Sequence, residues 1–490
     1  MQTRKFFRRF SFSNSKTFYP FLFILCIISR LLTSINYLED IDSMRFALSL
    51  FDYDISKLRP HFPGYPVFCF FTKIIYFFTG SVKISFSIIG GISTFLIIYF
   101  SNLILEKLTT EKTKLLSILL FLNPFLWILG NRYMSDIFGL SILMMIVYFT
   151  ISGITSNNRK QFFLAFFLIG IMSGVRVAFI PFIIPLLLYV FIYSKIVFFK
   201  CFFIMFLGII VWLIPLTLIT GLNDFYAISI NHIFGHFFKW GGSVITSDFS
   251  YIYRMTKIAE SLWADCLGGY WDGRNPLTLI LSLGWIFSIY SFYKSKKIIK
   301  GQRKKILKII ILSALVYLIW IFFFQNIVYK PRHVIPLLPF ILMLISIGFD
   351  FILNLNKSLK IYVYGFFCCL FTVTSYLCWQ HKSPSAISQA KSYIINDNTS
   401  MKIFCSTSLI NSYIKKHKGS ENIIFAIDKD EGKVKRYYNL GYTVYSTKDL
   451  KSYNMQIEQD SFFYHNPYVN RLWSTIRIYK YKKPNFNFKI

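Results

Sequence analysis

The sequence predicts an all-α polytopic membrane protein of about eleven spanning helices, closed by a small C-terminal α/β unit. Three observations predict it. Hydrophobic residues make up 55% of the 490 and aromatic ones 20%, more apolar surface than a soluble fold can bury. These residues fall in runs long enough for the ~20-residue crossing of a bilayer. The 54 Lys and Arg against 22 Asp and Glu, a net charge of +32, crowd the short breaks between runs, as in loops kept cytoplasmic. A soluble chain this basic would suggest nucleic acid, but no such motif is present; a basic inner face suits anionic membrane lipid.

The first apolar run, 17–37, follows Arg4, Lys5, Arg8, Arg9 and Lys16. It has the shape of a signal peptide, but no small-x-small cleavage pattern follows, so it reads as an uncleaved span. Further basic groups stand at Lys107, Lys112 and Lys114, at Arg159 and Lys160, and at Lys195 and Lys200. The longest joins Lys294, Lys296, Lys297, Lys300, Arg303, Lys304 and Lys305, and Lys357 with Lys360 is the last. If all face the cytoplasm, an even number of crossings must separate each pair. That condition decides the run 62–80, which is apolar enough to span. Counted as a crossing, it would put its flanking groups on opposite faces, so it is expected to lie in the interface or re-enter.

Spans are then expected at 17–37, 83–104, 115–131, 136–154, 161–176, 177–194, 201–220, 276–293, 307–325, 333–353 and 361–380. The N-terminus is expected inside and the C-terminus outside, in a bacterial cytoplasmic membrane. Residues 1–380 form the membrane domain, with a first outer loop at 37–82 and a third at 221–275; residues 381–490 form a soluble domain on the outer side. Within the latter, apolar 402–405 and 422–427 alternate with helical 408–416 and 432–438 before extended 442–446, an α/β pattern. Six of eight cysteines lie in apolar runs and no C-x-x-C occurs, so neither a disulfide framework nor a zinc site is indicated.

The first outer loop carries the densest polar chemistry. Glu39, Asp40 and Asp42 stand together in a chain with few acids, followed by Asp52 and Asp54. Arg59-Pro60-His61-Phe62-Pro63-Gly64-Tyr65-Pro66 then imposes a fixed, non-helical path. A carboxylate at the outer edge of a membrane can take the proton of an acceptor hydroxyl or amine. Asp40 and Asp42 share a face on a strand and diverge by about 200° on a helix; either is a candidate base. Solvated loop carboxylates are the alternative. Asp136, in Asn131-Arg132-Tyr133-Met134-Ser135-Asp136, starts an apolar run, so it is either a helix cap or an ionisable group facing a cavity. Arg176 and the string Lys330-Pro331-Arg332-His333 face outward and break the positive-inside trend. Arginine grips phosphate in two-pronged fashion; contact with lipid headgroups is the alternative. His232 and His236 have the i, i+4 spacing of a zinc helix without its glutamate or third ligand, so no metal is indicated. The aromatic residues of loop 221–275 read as an interfacial belt.

These motifs, in this order, resemble the type C glycosyltransferase superfamily, specifically its protein O-mannosyltransferase and aminoarabinose-transferase-like branch. An acidic motif follows the first span. His-Phe-Pro-Gly-Tyr-Pro leads into an interfacial helix. An Asn-Pro…Ser-Asp stretch comes next, then Arg-His…Pro-x-x-Pro at the start of a late span. The resemblance covers Phe18 to about Phe351. It implies transfer of a sugar, with inversion, from a polyprenyl-phosphate donor to a lipid, glycan or protein acceptor on the non-cytoplasmic face. It implies an aspartate of the first outer loop as base, Asp40 or Asp42, although the usual Asp-Glu is here Glu39-Asp40-Ile41-Asp42. Asp136 matches the second-loop acid, Arg332 the basic residue near the donor phosphate, and His61 a histidine common before these prolines. Catalytic candidates are therefore Asp40, Asp42 and Asp136. Substrate-binding candidates are Glu39, Arg59, His61, Tyr65, Arg132, Arg176, Lys330, Arg332 and His333. No cofactor is required, since the leaving group is already a phosphate. Competing readings are a flippase or transporter, and a polymerase or ligase, for lipid-linked saccharides.

Overall fold

The computed structural model describes residues 15–109, 114–295, 301–355, 359–450, 455–468 and 471–481. The basic residues Arg4, Lys5, Arg8, Arg9, Lys112, Lys296, Lys297, Lys300 and Lys357 lie outside the described residues. Two compact units divide the chain: one runs to Ser34 and resumes over Leu48–Trp379, the other joins Ile35–Ala47 to the residues from Gln380 onward.

The helices follow the apolar runs closely: α1 (Ser15–Leu32), α2 (Ile41–Ser49), α3 (Pro66–Thr79), α4 (Val82–Leu108), α5 (Leu115–Leu122), α6 (Pro124–Asn131), α7 (Asp136–Ser156), α8 (Arg159–Ser173), α9 (Ile180–Tyr193) and α10 (Lys195–Thr220). After them come α11 (Leu222–Phe238), α12 (Tyr251–Glu260), α13 (Leu277–Ser295), α14 (Gln302–Phe324), α15 (Leu338–Leu355) and α16 (Lys360–His381). Their ends have local causes. Asn158 and Ser194 accept from the Lys160 and Val197 amides and start α8 and α10. Gly80, at φ 61°, ends α3 in the left-handed conformation that glycine tolerates.

Seven stretches among the described residues are long and apolar enough to cross a bilayer. They coincide with α4, α7, α10, α13, α14, Pro331–Leu355 and the region beginning at α16. The chain is a multi-pass membrane protein. Burial sorts these spans. The α7 window is 78% buried and packs on α4 and α8, whereas the α10 window is 11% buried and presents Phe199, Phe203 and Phe206 outward. Where α8 meets α10, a Cβ on Gly170 would lie 2.2 Å from the Met205 carbonyl oxygen. Only glycine permits that approach, and close backbone contact is what holds helices together in lipid.

The structure corrects several expected boundaries. The span expected at 17–37 is helical only to Leu32; the Thr33 and Ser34 hydroxyls donate to the Ser29 and Leu31 carbonyls and close its last turn. The span expected at 115–131 is broken into α5 and α6. Pro124 has no amide to continue the ladder, and the Asn123 side chain accepts from the Leu126 amide and restarts the helix. Segment 201–220 starts earlier, at Lys195, because Ser194 caps it there. The late span opens with a 3-10 turn, Pro331–Leu337, before α15, since Pro331 and Pro336 each lack a donor. Loop 221–275 is largely helical, with α12 running into a π-helical turn, Ser261–Cys266. Helix α3, at 14 residues, is about 21 Å long, short of the ~30 Å hydrocarbon core.

The second unit holds α17 (Ala386–Asn396), β1 (Lys402–Ser406), α18 (Ser408–Lys415), β2 (Ile423–Ile427), α19 (Glu431–Asn439), β3 (Thr443–Ser446), β4 (Ile457–Tyr464) and β5 (Thr475–Tyr481). The sheet order is β2-β1-β3-β5-β4. Strand β1 pairs in parallel with β2 and β3; β5 is antiparallel to β3 and β4. Ile403, Cys405, Val434, Val444 and Tyr481 form a core on one face, each aliphatic side chain contributing about 1.5–3 kcal/mol by burial.

Candidate active site

In the membrane unit the polar chemistry converges on Asp136. Ser135, although at the cap position of α7, makes no side-chain cap bond, and Asp136 is the first helical residue. Its side chain is 1% exposed. Its Oδ1 accepts a 2.6 Å hydrogen bond from Arg176 Nη2, and its Oδ2 lies 3.7 Å from Arg332 Nε. The capping alternative is therefore not what Asp136 does: its carboxylate turns away from its own helix to two guanidinium groups. Gly139, one turn on, admits Arg176; a Cβ there would meet the Arg176 Cβ at 2.8 Å.

Arg176 also lies over Tyr65, with Cζ 6.0 Å from the ring centroid. Tyr65 is not glycine yet has φ 46°, a backbone cost that persists only where the surroundings over-determine it. Its hydroxyl is 3.1 Å from His61 Nε2. Gly64, at φ 85°, completes the bend, and a Cβ on it would lie 2.7 Å from the Tyr53 hydroxyl. His61 in turn stacks on His232 at 6.1 Å, and His232 meets Trp240 edge-on at 5.0 Å. His333 is buried beside Arg332, and its carbonyl accepts from the Tyr317 hydroxyl at 2.9 Å. Burial, reinforced by Lys330, pushes the His236 imidazole toward its neutral form. His61, Tyr65, Asp136, Arg176 and Arg332 are thus chained by contacts, although they come from four separate stretches of sequence. Arg132 is buried; Arg59 pairs with Asp52 at 2.9 Å in a hairpin where Asp54 and Arg59 bridge.

The acids of the first outer loop belong to the other unit. Asp40 caps α2, its Oδ1 accepting from the Ser43 amide at 2.8 Å. Asp42 sits in the first turn, 3.6 Å from Arg45. The strand alternative fails, so the two carboxylates diverge around the helix start. Glu39 is fully buried and binds His381 Nε2 at 2.9 Å. The neighbouring Tyr37 hydroxyl donates to the His381 carbonyl at 2.6 Å.

Sequence reasoning missed three arginine sites. Arg30 is fully buried in α1 with Cζ 4.2 Å from the Trp127 ring centroid; an ionisable residue inside an apolar run was the signal. Arg254 donates to the carbonyls of Phe322, Gly242 and Gln325 and ties α12 to the end of α14; nothing local marks it. Arg274 bridges Asp265 at 2.7 Å and Glu260 at 3.6 Å. Among the described residues no group of three His, Cys, Asp or Glu side chains is placed to hold a metal ion.

No protein-family model matches the sequence, and no curated protein does. Solved structures do. ArnT from Cupriavidus metallidurans bound to undecaprenyl phosphate superposes with a TM-score of 0.55 at 11% identity, over 95% of this chain and 98% of that one. The apo state of the same protein gives 0.51 at 11% identity, with the same coverage of both chains. The chain therefore shares the fold of ArnT. At such low identity the likeness is one of backbone rather than of side chains, so the cluster around Asp136 and the acids at the start of α2 are sites to be argued from their own chemistry.

Proposed function

We propose that this protein is a membrane glycosyltransferase that moves a sugar from a polyprenyl-phosphate donor to a lipid, glycan or protein acceptor on the non-cytoplasmic face. The observation that carries the reading is the match, over nearly the full length of both chains, to a protein whose structure holds undecaprenyl phosphate. The Asp136 cluster supports it. Arg176 and Arg332 meet at one carboxylate, and guanidinium groups suit a phosphate leaving group.

In the reaction, the acceptor oxygen or nitrogen attacks the anomeric carbon as the bond from that carbon to the phosphate oxygen breaks. Attack opposite the leaving group inverts the centre. The acceptor proton passes to an aspartate of the first outer loop, Asp40 or Asp42, and the polyprenyl phosphate departs with the bond electrons. Arg176 and Arg332 hold its charge, Asp136 keeps both guanidiniums oriented, and His61 with Tyr65 positions Arg176 from the other side. No step passes through a metal.

The test is reconstitution of the full chain with polyprenyl-phosphate sugars and candidate lipid, glycan and peptide acceptors. Release of polyprenyl phosphate with a glycosylated product is expected. Movement of donor across the bilayer without transfer would replace this reading with a flippase. For the membrane orientation, cysteines placed at Ser295 and Ser383 should label from opposite faces; labelling from one face would break it.

A further inference from the structure

The C-terminal unit carries a polar mouth that the transfer reading does not use. Its parallel strands run β2-β1-β3. The chain leaves β1 through α18 to reach β2 on one side, then returns through α19 to β3 on the other. Right-handed crossovers put those helices on opposite faces of the sheet. The connections therefore diverge above β1, a topological switch point, where open α/β sheets form a crevice outside the carboxyl ends of their strands.

The residues that end these strands are polar. Ser406 closes β1, and its hydroxyl accepts from the Thr447 hydroxyl at 2.9 Å. Asp428, just past β2, reaches across β1: its Oδ2 lies 3.5 Å from Lys448 Nζ, just past β3. The Asp428 side chain is only 7% exposed, and its Oδ1 is buried with no hydrogen-bond partner. Asn411, in α18, donates to the Ser406 and Ala426 carbonyls at the ends of β1 and β2, while its own Oδ1 is likewise unpartnered. A buried carboxylate oxygen without a donor is costly. Two such acceptors at one mouth call for a ligand that brings hydroxyl donors. A phosphate would bring acceptors and negative charge to a site whose central group is a carboxylate. A sugar brings adjacent hydroxyls that donate to Asp428 and Asn411 and accept from the ammonium of Lys448, which is 66% exposed and able to swing aside.

We propose that the carboxyl ends of β1, β2 and β3 form a saccharide-binding site in which Asp428, flanked by Ser406, Asn411, Thr447 and Lys448, receives neighbouring hydroxyls of a neutral sugar. The site is independent of the transfer reading, because its occupancy is measured without turnover.

Ligand-observed saturation-transfer NMR on the full chain in detergent tests it, with the methyl glycosides of glucose, galactose, mannose, N-acetylglucosamine and arabinose as probes. At least one glycoside should receive saturation from the wild type. Asp428→Asn should weaken that binding about tenfold, the size of one lost hydrogen bond to a charged acceptor. Thr447→Val, whose substitution leaves the sheet pairing intact, should weaken it by a smaller factor and serves as the readout if Asp428→Asn does not fold. Saturation of none of the five glycosides overturns the proposal. So does wild-type binding in a folded Asp428→Asn variant, or broadening of the inorganic phosphate 31P signal that is lost in Lys448→Met while the glycosides stay silent.

Discussion

Asp136 and the acids of the first outer loop solve the same problem in opposite ways. Asp136 is neutralised from a distance, by Arg176 forty residues on and by Arg332 on a late span. Asp40 and Asp42 are held by their own helix, through the Ser43 amide and Arg45 three residues on. A carboxylate fixed by two distant cations is part of the architecture of its unit. Asp40 and Asp42, buried as well, are tied instead at the start of their own helix. The contrast fits the proposal in which Asp136 orients the arginines and Asp40 or Asp42 takes the proton.

The largest expected effect lies on the Asp136 side. Asp136→Asn removes the buried carboxylate that two guanidiniums meet, a loss of about 3–5 kcal/mol. Thermal unfolding in detergent should show the midpoint falling by several degrees, with transfer falling too. An unchanged midpoint would mean that the cluster is not a structural keystone, and the comparison would lose one of its terms.

Glu39 comes next, because like Asp136 it is buried against a basic side chain far along the sequence. Glu39→Gln removes a fully buried carboxylate from His381, and about 3 kcal/mol should be lost. Amide hydrogen exchange should rise in the Ala386–Asn396 helix and in Ile35–Ala47, which share a unit with the pair. Protection equal to wild type in both segments would show that the pair holds nothing.

A pH effect should be smaller. Burial pushes the imidazoles of His417 and His465 below the ordinary 6.5. The folded chain keeps them neutral where the unfolded chain already binds protons, so stability rises with pH through that window. Melts of the C-terminal unit should be flat above about pH 6.5 and decline below it. His417→Gln and His465→Gln together should flatten the decline; a decline of unaltered steepness would assign it to other groups.

Much of this was legible in the residues themselves. The apolar runs located the helices, and the strands and helices of 402–446 emerged within a residue or two, because each is bounded by its own caps and turns. Strand β4 was not legible: its exposed, polar Ile457–Tyr464 lacks clear alternation, and only pairing with β5 makes it a strand. Helix α17 was hidden in a polar stretch after α16. In the site, residue types and their order singled out Asp136, Arg176 and Arg332, but their mutual distances depend on packing among α7, the turn before α9 and the turn before α15. Glu39 and Asp40 stand side by side in sequence, and only the fold shows that Glu39 meets His381 while Asp40 caps a helix. Arg254 had no local mark, since its partners include the backbone carbonyls of Phe322 and Gln325, far along the sequence.

The smallest expected structural effect sits beside the largest chemical one. Asparagine caps a helix about as well as aspartate, whereas alanine costs about 1 kcal/mol. Asp40→Asn should therefore keep the cap of α2 yet be unable to take a proton, and Asp42→Asn should weaken the contact with Arg45. The decisive measurement is polyprenyl phosphate release by wild type, Asp40→Asn and Asp42→Asn, reconstituted at equal folded concentration. At least one variant should lose activity by about a hundredfold or more, the range expected for removal of a general base, with its melting point unchanged. Wild-type release by both variants would contradict the account.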